Sequence, residues 1–154
     1  MLKRSLLLAS LLLALSLIVS PAPTPAHTPD PNDPLQGQAP VLKVSDIAKG
    51  LEYYKNVLGF QEEFRAGEPA NYAGIARGMI HFHLSTGSNA IDKGTIYIFV
   101  KQVDKLFAEY KSKGAKIVSE PKDQSYGMRE FSLKTPDGQL LCFGEGIEKK
   151  EPAK

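Results

Sequence analysis

Apolar and polar residues alternate most cleanly near the C-terminal end, over residues 128–135 and again over 139–144. Strict alternation sends successive side chains to opposite faces, so both runs predict half-buried β-strands. Between them stands Pro136-Asp137-Gly138. Proline presets φ for a turn and glycine accepts a positive φ that a side chain resists, so the two strands read as a hairpin. Nearer the N-terminus, Ile47, Leu51, Tyr54 and Leu58 recur at helical spacing and predict one apolar helix face. Asp46 is placed to cap that helix, and Gly59 to close it.

Extended along the chain, the pattern is used twice. In the first half a strand at 39–44 precedes the helix, and strands at 60–65, 72–77 and 79–85 follow it. In the second half a strand at 95–100 precedes a helix that Asp104 is expected to cap and Gly114 to end. That helix carries Val103, Leu106, Phe107 and Tyr110 on one side, and strands at 116–119, 128–135 and 139–144 complete the half. Each half is βαβββ, and the polar, glycine-containing stretch 86–94 reads as the link between them. A four-stranded sheet with a helix on one face needs a partner for the other, so two such units form an α+β domain.

The ends of the chain change the picture. Lys3 and Arg4 precede an uncharged run of fourteen residues, 6–19, and then small residues and prolines. A spanning helix needs ~20 apolar residues, so residues 1–26 are expected to be a signal peptide rather than a retained signal anchor. The expected location is periplasmic or secreted, with cleavage after Ala26 and the membrane met only through this signal. No cysteine lies near the cleavage site, which excludes a lipid-anchored lipoprotein. Residues 21–40 hold seven of the eleven prolines, so 27–38 reads as an extended linker. The folded domain is expected over 39–146, with modules 39–85 and 95–146, followed by a charged tail at 147–154.

The full chain has 19 Lys and Arg against 17 Asp and Glu. Lys3 and Arg4 belong to the signal, which contains no acid, so the mature chain balances at 17 against 17. There is no basic stripe, and a nucleic-acid partner is excluded. The single cysteine, Cys142, precludes an intramolecular disulfide, so the core must hold the fold.

Val44-Ser45-Asp46, Tyr53-Tyr54-Lys55-Asn56-Val57-Leu58-Gly59-Phe60 and the stretch 126–144 together resemble the vicinal-oxygen-chelate superfamily. That superfamily groups glyoxalase I, the extradiol dioxygenases and the bleomycin-resistance proteins. The resemblance runs from Ala39 to about Gly146. It implies two βαβββ modules whose mixed sheets form a cup, the glyoxalase/bleomycin-resistance fold.

In the metal-dependent members, His and Glu from four strands point into the cup. The matching positions here are Ala39, His81, Thr95 and Cys142. Ala39 has no donor atom and Thr95 is a poor ligand, and two ligands rarely suffice, so no cofactor is expected. The alternative is a divalent metal (Zn, Ni, Fe or Mn) at His81, His83 and Cys142, since His81 and His83 leave one face of their strand.

By alternation, His81, His83, Thr95, Tyr97, Phe99, Leu140 and Cys142 are expected to share the cup face as ligand-binding residues. The competing reading is that they fill the space between the sheets. The stretch Tyr126-Gly127-Met128-Arg129-Glu130-Phe131 is most similar to the bleomycin-resistance branch, which binds its cationic drug in a groove between two subunits without a catalytic metal. Arg129 and Glu130 are adjacent on a strand, so at most one faces such a groove. The resemblance implies a homodimer and a small-molecule ligand. The expected function is an exported, metal-free binder of a small organic ligand. The alternatives are a metal-dependent lyase or dioxygenase with a non-standard site, and an interaction module with a filled cup.

Overall fold

The apolar faces of two helices and two sheets meet in one core, and every other feature follows from that. The computed structural model describes Pro34 and residues 37–147. The expected signal peptide, nearly all of the linker before Gly37, and the tail after Ile147 lie outside the described residues. The chain divides into units Met1–Gln36 and Gly37–Lys154, and the architecture described is that of the second. No helix among the described residues is long and apolar enough to cross a membrane.

In chain order the first half comprises β1 (Val41–Lys43), α1 (Ile47–Asn56), β2 (Gln61–Ala66), β3 (Tyr72–Arg77) and β4 (Ile80–Ser85). The second comprises β5 (Thr95–Phe99), α2 (Val103–Ser112), β6 (Lys116–Asp123), β7 (Met128–Lys134) and β8 (Leu140–Gly146). These make two four-stranded sheets, ordered β1-β4-β3-β2 and β5-β8-β7-β6. In each, the first strand pairs parallel with the last, and the remaining pairs are antiparallel. The fold is therefore α+β with βαβββ used twice, as the periodicity predicts.

Local signals account for most boundaries. The Asp46 carboxylate accepts from the Lys49 N–H at 2.8 Å, and Gly59 takes φ +71° just past α1. Gly138 takes φ +105° in the β7–β8 turn. Two expectations need correction. Asp104 does not cap α2; Gln102 stands there instead, with φ 58° and no side-chain cap bond. The N–H groups of Gln102 and Val103 donate to Glu145 at 2.8 and 2.9 Å, so the capping carboxylate comes from β8. Asp104 is left to receive Arg129 at 2.8 and 2.9 Å. The other correction is that β6 runs on to Asp123, past two register shifts, because its later residues still pair with β7.

α1 buries Ile47, Leu51 and Tyr54 against Leu42, Ile75, Phe82 and Leu84 of the first sheet, and α2 buries Val103 and Tyr110 against Phe131, Leu133, Leu141 and Phe143 of the second. Each half centres on an aromatic trio. Phe60 stacks on Phe82 at 5.5 Å with Tyr54 edge-on, and Phe131 stacks on Phe143 at 5.1 Å with Tyr110 edge-on. Offset and edge-on rings add about 0.5–1.5 kcal/mol per pair beyond their buried area.

Polar contacts on the same inner side hold the halves together. The Arg77 guanidinium spans to α2, donating to Glu109 at 3.0 Å and to the Tyr110 hydroxyl at 3.2 Å, and it also donates to the Leu58 carbonyl. Asp137 in the hairpin turn accepts from the Ser45 N–H at 2.7 Å. Gln139, fully buried, donates to the Lys43 carbonyl at 2.7 Å and the Ile91 carbonyl at 3.2 Å, while its own oxygen accepts from the Thr135 hydroxyl.

Gln139→Leu keeps the shape of that clip but strips its partners of their donor and acceptor. Buried groups left unpaired cost about 1–3 kcal/mol each, so the variant is expected to lose about 2–3 kcal/mol in urea unfolding. A loss under about 0.5 kcal/mol would show that the clip does not join the halves.

Candidate functional site

Packing on the helix side leaves the opposite face of each sheet open. On the second sheet, Tyr97 sits beside Cys142, Ser132 lies across from Cys142, and Glu130 lies across from Gly144. Partners directly opposite share a face, so these residues form one surface. Gly144 makes it possible: a Cβ there would overlap the Tyr97 phenol, so the ring lies flat over bare backbone. The Tyr97 hydroxyl donates to Glu130 Oε2 at 2.7 Å, and the Tyr126 hydroxyl donates to Oε1 of the same carboxylate at 2.6 Å. The Tyr97 and Phe99 rings are 5.2 Å apart. Phe99 is 76% exposed and Tyr126 64%, an unusual condition for large aromatic side chains.

The electrostatics follow from Glu130. The Tyr126 hydroxyl is pushed up from 10.0 to about 12, chiefly because it donates to that carboxylate. Tyr97 is raised by partial burial and then by Glu130. Burial pushes the Cys142 thiol up, and the nearby Glu130 charge adds to it. Cys142 is thus a neutral, half-buried thiol rather than a ready thiolate. Arg129, the other member of the adjacent pair, points the opposite way and is tied to Asp104 and Asp123.

The first sheet repeats the device. Phe64 lies over Gly74, where a Cβ would overlap the ring. Phe64, Tyr72 and His83 form an aromatic cluster, with Phe64 5.3 Å from the imidazole and the Tyr72 hydroxyl bonded to His83 Nδ1 at 2.9 Å. His81 Nδ1 lies 3.2 Å from Glu63 Oε2.

The seven residues expected on the cup face therefore divide. His81 and His83 stand on the first sheet, and Thr95, Tyr97, Phe99, Leu140 and Cys142 on the second. Of the seven, His81 and Tyr97 line one cavity, of about 260 Å³, between β4 and β5. His81, His83 and Cys142 do not converge, and among the described residues no three His, Cys, Asp or Glu side chains are grouped to hold a metal. His83 is committed to Tyr72, His81 to Glu63, and the thiol belongs to the other sheet. The residues that sequence reasoning did not select are Glu63, Phe64, Tyr72, Tyr126 and Glu130. For Glu130 the signal was present, since alternation places it with Ser132. The glycines under Phe64 and Tyr97 marked both ring seats, but only three-dimensional pairing shows which ring occupies each.

Two βαβββ modules, each a four-stranded mixed sheet with a helix on one face, define the class as a paired-module α+β fold. The profile of the Glyoxalase/Bleomycin resistance protein/Dioxygenase superfamily matches residues 38–143, and the chain belongs to that family. Among solved structures, it is similar to the bleomycin-binding protein of bleomycin-producing Streptomyces verticillus, complexed with copper(II)-bleomycin. That likeness has 25% identity and TM-score 0.58, covering 71% of this chain and 95% of that one. TioX from Micromonospora sp. ML1 shares the fold at 20% identity and TM-score 0.62, with 72% of this chain and 100% of that one covered. A glyoxalase-related enzyme from Clostridium phytofermentans does so at 24% identity and TM-score 0.62, with 77% and 100% covered. Comparison with curated proteins gives no match.

If Glu130 holds the two phenols, replacing its charge releases them. In Glu130→Gln the Tyr126 phenol is expected to titrate near 10, down from about 12, as read by phenolate absorbance. An unchanged value would show that the carboxylate does not govern this face.

Proposed function

We propose that the protein binds a small organic cation with a planar or aromatic group, held on the open face of the second sheet. The observation that carries this reading is Glu130, a carboxylate bracketed by Tyr97 and Tyr126 with Phe99 beside it, all reachable from solvent. The carboxylate supplies the counter-charge, and the rings supply faces for stacking and cation–π attraction. The family resemblance supports the same direction, since the Streptomyces verticillus relative is a bleomycin-binding protein.

A homodimer belongs to this proposal. Phe99 and Tyr126 on one open face and Phe64 on the other are large aromatics left exposed, and a second copy laid over them would turn an open sheet into a cleft. We further propose that the ligand is held without a catalytic metal, because Ala39 and Thr95 offer poor donors and His81, His83 and Cys142 lie apart. The proposed place of action is outside the cytoplasm. Its support is the charge and hydropathy pattern of residues 1–26.

The test is calorimetry with metal-free bleomycin, copper(II)-bleomycin and a set of simpler planar aromatic cations. A hydrogen bond to a charged group contributes about 1.5–3 kcal/mol, so Glu130→Gln is expected to weaken binding by roughly ten- to a hundredfold. Phe99→Ala is expected to weaken it several-fold with the melting temperature unchanged. Equal affinity in Glu130→Gln, or no saturable binding across the set, would sink the proposal. Sedimentation equilibrium reads the assembly separately, and a monomer at micromolar concentration would remove the dimer.

A further inference from the structure

A further cavity lies between the two modules on their helix side, next to the one that His81 and Tyr97 line, with which it shares Ile80 and Ile98. Its volume is about 350 Å³, within the range of small-molecule sites. Phe60, Ile98, Tyr110 and Phe143 are buried beneath it, and the half-buried Ile80 and Leu106 stand on its walls. Water in such a space would find few partners, because an ordered water needs two to four polar groups. The charged groups lining it are both cationic, Arg77 and Lys101.

The two cations differ in what they have left to give. The Arg77 charge is already balanced by Glu109, and its Nη1 also donates to the Tyr110 hydroxyl and the Leu58 carbonyl. Lys101 is exposed and makes no hydrogen bond or ion pair to any described residue. Its backbone is held nonetheless. The next residue, Gln102, adopts φ 58°, a left-handed conformation that costs a non-glycine residue energy, and Glu145 holds it there through two backbone N–H groups. An apolar cavity thus has one uncommitted ammonium, carried on a stretch of backbone that Glu145 restrains.

We propose that this cavity is a second site, for an unbranched aliphatic carboxylate of medium chain length. The alkyl chain lies against Ile80, Ile98, Leu106 and Phe143, and the carboxylate meets Lys101. The charge excludes an alkylammonium. A phosphate or other multiply charged head is a poorer match, because Glu109 already balances the Arg77 charge and Lys101 is the one unpaired cation among the described residues of the lining. This inference does not depend on the aromatic cation site, which uses the opposite sheet face.

Decanoate, kept below its micelle concentration, is titrated into ¹⁵N-labelled protein and followed by amide shifts and calorimetry. The expected result is saturable binding with shifts centred on Ile80, Ile98, Val100, Lys101 and Leu106. Lys101→Glu is expected to weaken decanoate at least tenfold and to make decylammonium the preferred ligand. Because Lys101 is exposed, this variant keeps the fold. Leu106→Trp fills the chamber and is expected to abolish binding. Glu130→Gln is expected to leave decanoate binding unchanged while weakening the aromatic cation, so the two sites fail or stand separately. No saturable binding, shifts centred on Tyr97 and Glu130, or an unchanged affinity in Lys101→Glu would each overturn the proposal.

Discussion

The arrangement depends on how the two modules meet. Each four-stranded sheet has two faces, and a single helix covers only one. The halves share a core on the helix-covered side, with Arg77 reaching α2 and Gln139 reaching the backbone of β1 and the Ile91 segment. Burying a charged guanidinium or an amide is unfavourable unless each group is paired, and both side chains find partners across the module boundary. With the inner faces packed under the helices, the outer faces have no helix to cover them among the described residues. The open sheet faces are a consequence of that choice.

On those outer faces the same local solution appears twice. A glycine leaves bare backbone, and an aromatic ring lies over it: Phe64 over Gly74, Tyr97 over Gly144. The ring is thereby held low, with its upper face toward solvent. A polar neighbour then fixes its chemistry. In the first sheet this is an imidazole bonded to Tyr72, and in the second a carboxylate that orders two phenols. The second surface carries the stronger electrostatic signature, because Glu130 accepts from two hydroxyls and remains partly reachable from solvent. A carboxylate held in this way is ordered before any ligand arrives, which is what the proposed cation site requires.

The position that the resemblance aligns with a metal-binding carboxylate is Cys142 here, and its surroundings act on the thiol. Burial and Glu130 both favour the neutral thiol, while a metal requires the thiolate. The two imidazoles have local partners on another sheet. The chemistry of this face is therefore the chemistry of Glu130 and its phenols, with Cys142 as a small half-buried wall group.

The sequence by itself determined the repeated βαβββ order, the hairpin turn at Gly138, the cap at Asp46 and the apolar stripes of both helices. These are local properties: periodicity, turn chemistry and capping act over a few residues, and the chain states them directly. It also determined that Arg129 and Glu130 face opposite ways. The tertiary structure alone decided that Glu145 rather than Asp104 serves the start of α2, because that carboxylate comes from 42 residues away. It likewise decided that Arg77 and Gln139 join the modules, and that His83 pairs with Tyr72 while His81 meets Glu63. Alternation tells which face of a strand a residue occupies, but not which sheet face lies opposite another. That depends on strand order and on which faces the core consumes, and both are set by contacts between residues far apart in the chain.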